Sequence, residues 1–516
     1  MTGQQLEQGR FDRRTFIVGA AAGAVVLGRA GVATARPPAD IPDHPFTLGI
    51  ASGDPLANGV VIWTRLAPDP LAGGGMPDDT YLVEWEVATD AAMSHVVRRG
   101  RARAKPEHAH SVHVDVRGLQ PDREYWYRFR VGPHLSPVGR TRTAPRANAR
   151  PAALVFGLVS CQRYNAGFYT AYDDLVSAGP DLVVHVGDYI YESPGGGVRA
   201  DPLPESISLD EYRNRYALYK SDPALSAAHA IAPWLFTWDD HEVENNYAGL
   251  VPETTSSTPD PDAFRARRSA AYKAYWEHMP FRMRAPSGAD FRIHRHVPWG
   301  RLADFFVLDT RQYRADQCGE VGAACDPATD TTREMLGRRQ RRWLDRGITN
   351  SRADWSVLAQ QVVFSKLDLV PGAPEFFNLD QWDGYMHARD QLLETMRTRR
   401  PHDNIVLTGD IHASGVADVL TDFSDPASAP MGAEFVGTSI SSSGNDLLSA
   451  LLPAVVAENA HVKWADGTRR GWVKHTVTTD EWRADYRHVD DAKIAGSPVR
   501  TATSWVVPRG GGVVPA

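Results

Sequence analysis

The sequence predicts an α/β core preceded by an all-β N-terminal module. Three observations carry this. Residues 45–145 run as short alternating segments broken by turn residues. From residue 153 the pattern changes to apolar strands separated by helical stripes. Several of those strands deliver Cys, Asp or His at the carboxyl end, where α/β proteins place ligands.

At 516 residues the chain has length for two or three domains and a large core. Its composition, 42% hydrophobic and 23% charged, is that of a soluble globular protein. A net charge of −7 argues against a nucleic-acid-binding surface, which would be basic. Beyond the N-terminus no apolar run is long enough for a transmembrane anchor.

Residues 1–35 read as a targeting segment outside the fold. Arg13-Arg14 precede a small-residue apolar stretch, and Ala33-Thr34-Ala35 has the form of a cleavage site. The arginine pair resembles a twin-arginine signal, which implies export of folded protein through the twin-arginine machinery and an extracytoplasmic location. The other reading is an amphipathic N-terminal helix.

In residues 45–145 the segments at 60–63, 81–85, 112–116 and 125–129 alternate as strands of a sandwich. Leu119, Pro121 and Tyr125 have the spacing of the corner in fibronectin-type sandwiches. His108, His110 and His113 read as surface or strand residues rather than ligands. Residues 144–152, rich in Pro, Ala and Arg, form the expected linker. The second domain then spans residues 153–495. A helix with Phe168, Ala171, Tyr172 and Leu175 on one face stops at Gly179-Pro180. Residues 182–186 are a buried strand, and residues 193–230 an insertion with a mobile triple-glycine loop at 195–197. Helices are predicted over 262–278, 333–346 and 385–396, and strands at 305–309, 357–364, 404–408 and 472–477. Residues 496–516 are rich in Gly and Pro and read as a loose tail.

The chemistry concentrates at the strand ends. Cys318 and Cys325, in CGEVGAAC, have the spacing of a small disulfide in an exported protein. That leaves Cys161 odd, as either an inert core thiol or a metal-bound thiolate. Its company favours the thiolate. Asp188-x-x-Tyr191 allows a tyrosine to turn back to the metal its aspartate holds, and thiolate with phenolate suits a ferric ion. Asp410-x-His412 sets a carboxylate and an imidazole astride a site with two metals. Two metals can clamp the attacking and leaving oxygens of a phosphoryl displacement, with Asp188 as the bridging carboxylate.

The motifs SCQ, GDYIYE, WDDHEVENN, LDTRQYR and GDIHAS, in that order, resemble those of the alkaline phosphatase D (PhoD-like) family, a branch of the calcineurin-like metallophosphoesterases. The resemblance covers essentially the whole mature chain. It implies a metallophosphoesterase core of mixed sheets flanked by helices, loaded with Fe3+ and Ca2+. Cys161, Asp188, Tyr191 and His412 would hold the iron. Asp188, Asp240 and Asp410 would hold the calcium, with Asn245 a further candidate. The wider superfamily has GNHE where this chain has Asp239-Asp240-His241-Glu242, so the choice between Asp240 and Asn245 stays open. The superfamily's first-strand Asp-x-His is absent, and Cys161 stands in its place.

Among catalytic candidates, His241 either protonates the leaving oxygen or binds phosphate, or else orients a carboxylate from behind. Arg163, Arg311 and Arg314 either grip phosphate oxygens or form structural ion pairs. The activity expected is hydrolysis of phosphate esters by a metal-bound hydroxide, with no covalent enzyme intermediate. Two alternatives are a phosphodiesterase or phospholipase-D-like hydrolase on the same site, and a surface protein with a vestigial site. The last would have broken ligand positions, and here they are intact.

Overall fold

The computed structural model describes residues 41, 43–326 and 330–516. The targeting segment therefore lies outside the described residues. At the centre, strand Leu182–Val186 is buried at every residue. It pairs in parallel with Leu154–Val159 on one side and Pro233–Thr237 on the other. Strands of this kind, covered on both faces, read as unbroken Val- and Leu-rich runs. Helix Thr170–Ala178 makes the first crossover, ending at Gly179 in the left-handed region. The 193–230 insertion supplies the second crossover through helices Leu209–Lys220 and Pro223–Ile231. Ser208 and Glu211 form a reciprocal capping box on the first of these, and Asp222 caps the second.

These strands belong to a ten-stranded sheet. A seven-stranded sheet faces it, with Ala303–Val307, Trp355–Ala359, Asn404–Thr408 and Pro430–Val436 in a parallel run. Phe156, Leu158, Val184 and Leu235 from one sheet pack on Phe305, Val357, Leu407 and Phe435 from the other. The outer faces are covered by helices. Helix Pro261–His278 joins the crossover helices over the first sheet, and Gly337–Asn350 and Met386–Arg399 cover the second. The result is a helix–sheet–sheet–helix sandwich, the α/β core predicted.

The N-terminal module is all β, and its strands join two sheets. Ile50–Leu56, Gly59–Arg65 and Ser111–Arg117 extend the ten-stranded sheet, Ile50–Leu56 pairing in parallel with Pro233–Thr237. Their outer face packs Val60, Ile62, Val112 and Val114 on Val83, Tyr127 and Phe129 of a separate five-stranded sheet. The Tyr125 hydroxyl accepts a bond from the Gln120 N–H at 2.8 Å, closing the expected corner. His113 stacks on Trp276 with ring centroids 4.1 Å apart, so it fastens the module to a core helix.

Several elements differ from expectation, among them helix 333–346, which runs Gly337–Asn350, and strand 305–309, which runs Ala303–Val307. The C-terminal segment is not loose: Val499–Pro508 pairs antiparallel with Glu481–Val489, and Val514–Pro515 closes the edge. Its strand pattern is masked by the flanking glycines and prolines. Strand 357–364 is shorter and begins earlier, at Trp355–Ala359; beyond it Gln361 donates to Thr237 of the facing sheet at 2.7 Å, and Gln360 to Thr408 of the neighbouring strand at 2.8 Å. Cys318 and Cys325 form a disulfide with Cα atoms 5.9 Å apart.

Candidate metal centre

The parallel strands of both sheets end at one common edge. Leu154–Val159 leads to Cys161, Leu182–Val186 to Asp188, Pro233–Thr237 to Asp239 and Asp240, and Asn404–Thr408 to Asp410 and His412. Thr237 and Gln361 stitch the edge across the sheets: the Thr237 hydroxyl donates to the Leu308 carbonyl at 2.6 Å and accepts from the Gln361 amide at 2.7 Å. Gly187 makes the close approach possible. It has φ of +112°, and a Cβ there would fall 2.4 Å from the Asp239 Cβ.

The backbone at the strand ends is strained in a consistent way. Cys161, Asp188, Asp410 and His412 all have positive φ, from 54° to 64°. Non-glycine residues seldom occupy this region, and such strain concentrates at functional sites.

The side chains meet in overlapping groups. Ligand atoms of Cys161, Asp188 and His412 lie within 4.8 Å of one another, as do those of Asp188, Asp240 and His241, and of Asp239, Asp240 and Asp410. Asp188 is shared by the first two and Asp240 by the last two. The Tyr191 hydroxyl is 2.8 Å from both Asp188 Oδ2 and His412 Nε2. His412 Nδ1 bonds to the Ser443 carbonyl at 2.7 Å, which leaves Nε2 turned to the cluster.

Protein charges alone do not satisfy this site. Asp188 Oδ1 and Asp239 Oδ2 are buried with no hydrogen-bond partner among the described residues. Burial, then the nearby Asp188 charge, push the Cys161 thiol well up. Burial and the same carboxylate push Tyr191 up. Asp410 is pushed up to about 6 by burial, against the pull of Arg311. Burial raises Asp239 well above the carboxylate range. A buried set of thiol, phenol, imidazole and carboxylates with orphaned oxygens fits a cation, which would neutralise what Arg311 alone does not.

Around this set lies a ring of holding groups. Glu242 accepts the backbone N–H groups of Asp188 at 3.1 Å, Tyr189 at 2.6 Å and Asp239 at 2.8 Å. Glu192 holds His241 Nδ1 at 2.7 Å. Burial alone would lower the His241 pKa, but Glu192, Asp240 and Asp188 together raise it to about 10. Ser442 links the Cys161 carbonyl, at 2.7 Å, to the Tyr191 hydroxyl, at 2.8 Å.

The sequence-predicted residues are placed as follows. Cys161, Asp188, Tyr191, Asp240, Asp410 and His412 come together, with His241 beside them. Asn245 points elsewhere: its amide donates to Glu253 at 2.7 Å. Arg311 is fully buried and bonds Asp239, Asp380 at 2.8 and 2.9 Å, and Asp410 at 3.3 Å. It fixes carboxylates instead of presenting a free fork to substrate. Arg314 likewise bonds Asp380. Arg163 is half-buried, with its guanidinium 5.0 Å from the centre of the Tyr191 ring and donating to the Ser193 and Pro194 carbonyls at 3.2 Å.

Sequence reasoning missed Glu192, Glu242, Asp380 and Gln381 as holding groups, and Asp239 as a member of the cluster. The first two and Asp239 stand inside the quoted motifs, where each was passed over for its neighbour. Gln381, which donates to Asp410 Oδ2 at 2.8 Å, comes from a loop with no motif.

Comparison with known proteins identifies the family. The chain matches the model of the PhoD-like phosphatase family over residues 156–486, and that of the PhoD-like phosphatase N-terminal domain over residues 31–145. It is 44% identical to alkaline phosphatase D of Bacillus subtilis (strain 168) over 520 aligned residues, covering 98% of this chain and 88% of the relative. A solved structure described as PhoD superposes with a TM-score of 0.89 at 44% identity, covering 92% of this chain and 93% of the other.

Proposed function

This chain belongs to the PhoD-like phosphatase family, and from that premise we propose that it is an exported, metal-dependent alkaline phosphatase that hydrolyses phosphate esters by direct attack of water. The observation that carries the reading is Asp188. It stands in both the Cys161–His412 group and the Asp240 group, and its Oδ1 has no partner among the described residues. A carboxylate so placed suits a bridge between two cations.

Cys161, Asp188, Tyr191 and His412 would hold Fe3+, and Asp188, Asp240 and Asp410 would hold Ca2+. The second set is oxygen-only, which suits a hard cation. Asp240 is preferred to Asn245 because its carboxylate lies within 4.8 Å of the ligand atoms of Asp188 in one group and of Asp410 in another. When bound, the cations supply Lewis acidity, as positive charge for the phosphoryl oxygens and for the attacking water. Cys161 and Tyr191 ligate only as anions, and burial opposes their ionisation, so they lose their protons as metal binds. Their negative charge weakens the Lewis acidity, which favours an alkaline optimum. His241, held by Glu192, hands a proton to the leaving oxygen. Arg163, at the rim, meets the substrate's phosphoryl group. Arg311 keeps the carboxylates of both strand sets in register.

The test is elemental analysis of protein exported by its own leader, with phosphate-ester assays before and after chelation. Iron and calcium are expected, with activity lost on chelation and restored by calcium. Full activity after exhaustive chelation, with zinc the sole metal found, would overturn the reading.

A further inference from the structure

We propose that an apolar subsite beside the metal centre takes an alkyl or aryl group carried on the phosphate ester. It lies between the 365–376 loop and helix Asp446–Glu458. The proposal rests on the phosphoesterase reading above and narrows its substrates.

The groove has a volume of about 260 Å³, and Leu367, Val370, Phe376, Ile411, Leu447 and Leu451 supply much of its wall. A cavity of roughly 150 Å³ takes a benzene ring, so an aryl group or a short alkyl chain has room here. Two of its lining residues adjoin the cluster, one through the chain and one through a hydrogen bond. Ile411 stands between Asp410 and His412 in the chain, and Gln381, which also lines the groove, donates to Asp410 at 2.8 Å. The segment that holds His412 through the Ser443 carbonyl runs directly into Asn445, the N-cap of the helix. A substituent on a phosphoryl group at the cluster therefore has this groove as its neighbour.

The lining chemistry selects the substituent. Asp383 is the charged residue of the wall, and it is already engaged: Arg389 pairs with it at 2.6 Å and it accepts the Leu367 N–H at 2.9 Å. Among the described residues no cationic side chain lines the groove, so a second phosphate meets no counter-charge from them. The helix reads DLLSALLPAVVAE, yet it buries only Leu452 and Val455. Leu447 is left 70% exposed, Val321 57%, Val370 44% and Phe376 37%, all on this one groove. Large apolar side chains gathered in water at one place mark a binding surface.

The test uses metal-loaded protein and alkyl p-nitrophenyl phosphates from methyl to octyl, each below its micelle-forming concentration. In the wild type kcat/KM is expected to rise up to about fourfold per methylene and level off when the groove is full. Leu447→Asp and Phe376→Ser should flatten that rise to under about twofold across the series, leaving the methyl ester within about twofold of wild type. A flat wild-type series, or an unchanged slope in both variants, overturns the subsite. A rise seen only above the micelle-forming concentration also overturns it, and points to binding of aggregate surfaces. Failure to hydrolyse any ester, the methyl diester and p-nitrophenyl phosphate included, would instead sink the phosphoesterase reading itself.

Discussion

The Glu242 carboxylate accepts the backbone N–H of Asp188 at 3.1 Å, and so joins the loops that follow two neighbouring parallel strands. With its bonds to the Tyr189 and Asp239 N–H groups it closes three backbone donors with one side chain. Those donors would otherwise be buried and unpaired, at about 1–3 kcal/mol each.

Glu242 never reaches the cluster, so its substitution should act through geometry. Glu242→Gln keeps one acceptor oxygen and turns an amide N–H₂ toward a donor. We expect a 10- to 100-fold loss of metal affinity with the fold retained, the range seen when groups behind a ligand are removed. Metal titration alongside circular dichroism checks this. Unchanged metal affinity would show that the three bonds do not position Asp188.

Cys161 is fully buried, while the other two cysteines are joined to each other. Cys161→Ser is expected to abolish iron retention and reduce turnover at least tenfold, because a hydroxyl is a poor replacement for a thiolate. Cys318→Ser should retain iron and lose only stability. Elemental analysis of both variants decides it, and equal iron in the Cys161 variant refutes the thiolate role.

How much of this was legible depended on locality. Cys161, Asp188, Asp410 and His412 each follow an apolar strand directly, so the strand pattern and the residue announce one another. The work of Glu242 is done on backbone N–H groups, which carry no side-chain signature. Asp380 sits beside a two-residue strand, too short for a period to reveal. The pairing of Ile50–Leu56 with Pro233–Thr237 joins segments remote in sequence, and no local pattern encodes it.

Arg311 faces Asp239, Asp380 and Asp410 with its whole guanidinium. A lysine carries the charge but not the planar fork, and it cannot bond Asp380 through two parallel N–H groups. Arg311→Lys is expected to lower unfolding free energy by about 2–4 kcal/mol, since buried carboxylates are left partly unpaired. Urea denaturation measures it. A loss below about 0.5 kcal/mol would mean that the carboxylates are held by other means.

Lys220 gives a pH dependence of stability from a group outside the ligand cluster. Its ammonium lies 4.4 Å from the Trp63 ring centre and 5.5 Å from that of Tyr189, and the residue is 2% exposed. Burial lowers its pKa to about 7. In the unfolded chain it returns to about 10.4. Between those values the unfolded state binds more protons, so stability rises with pH. Below about pH 7 both states are protonated, and folding bears the full penalty of burying the charge. This term is relieved as pH climbs toward 10, by a few kcal/mol in all. Lys220→Met keeps the volume and removes the titration. The variant should therefore gain stability over the wild type at pH 6, with the advantage shrinking by pH 9. Urea midpoints at the two pH values provide the comparison, and an advantage that stays constant or grows with pH would contradict the assignment.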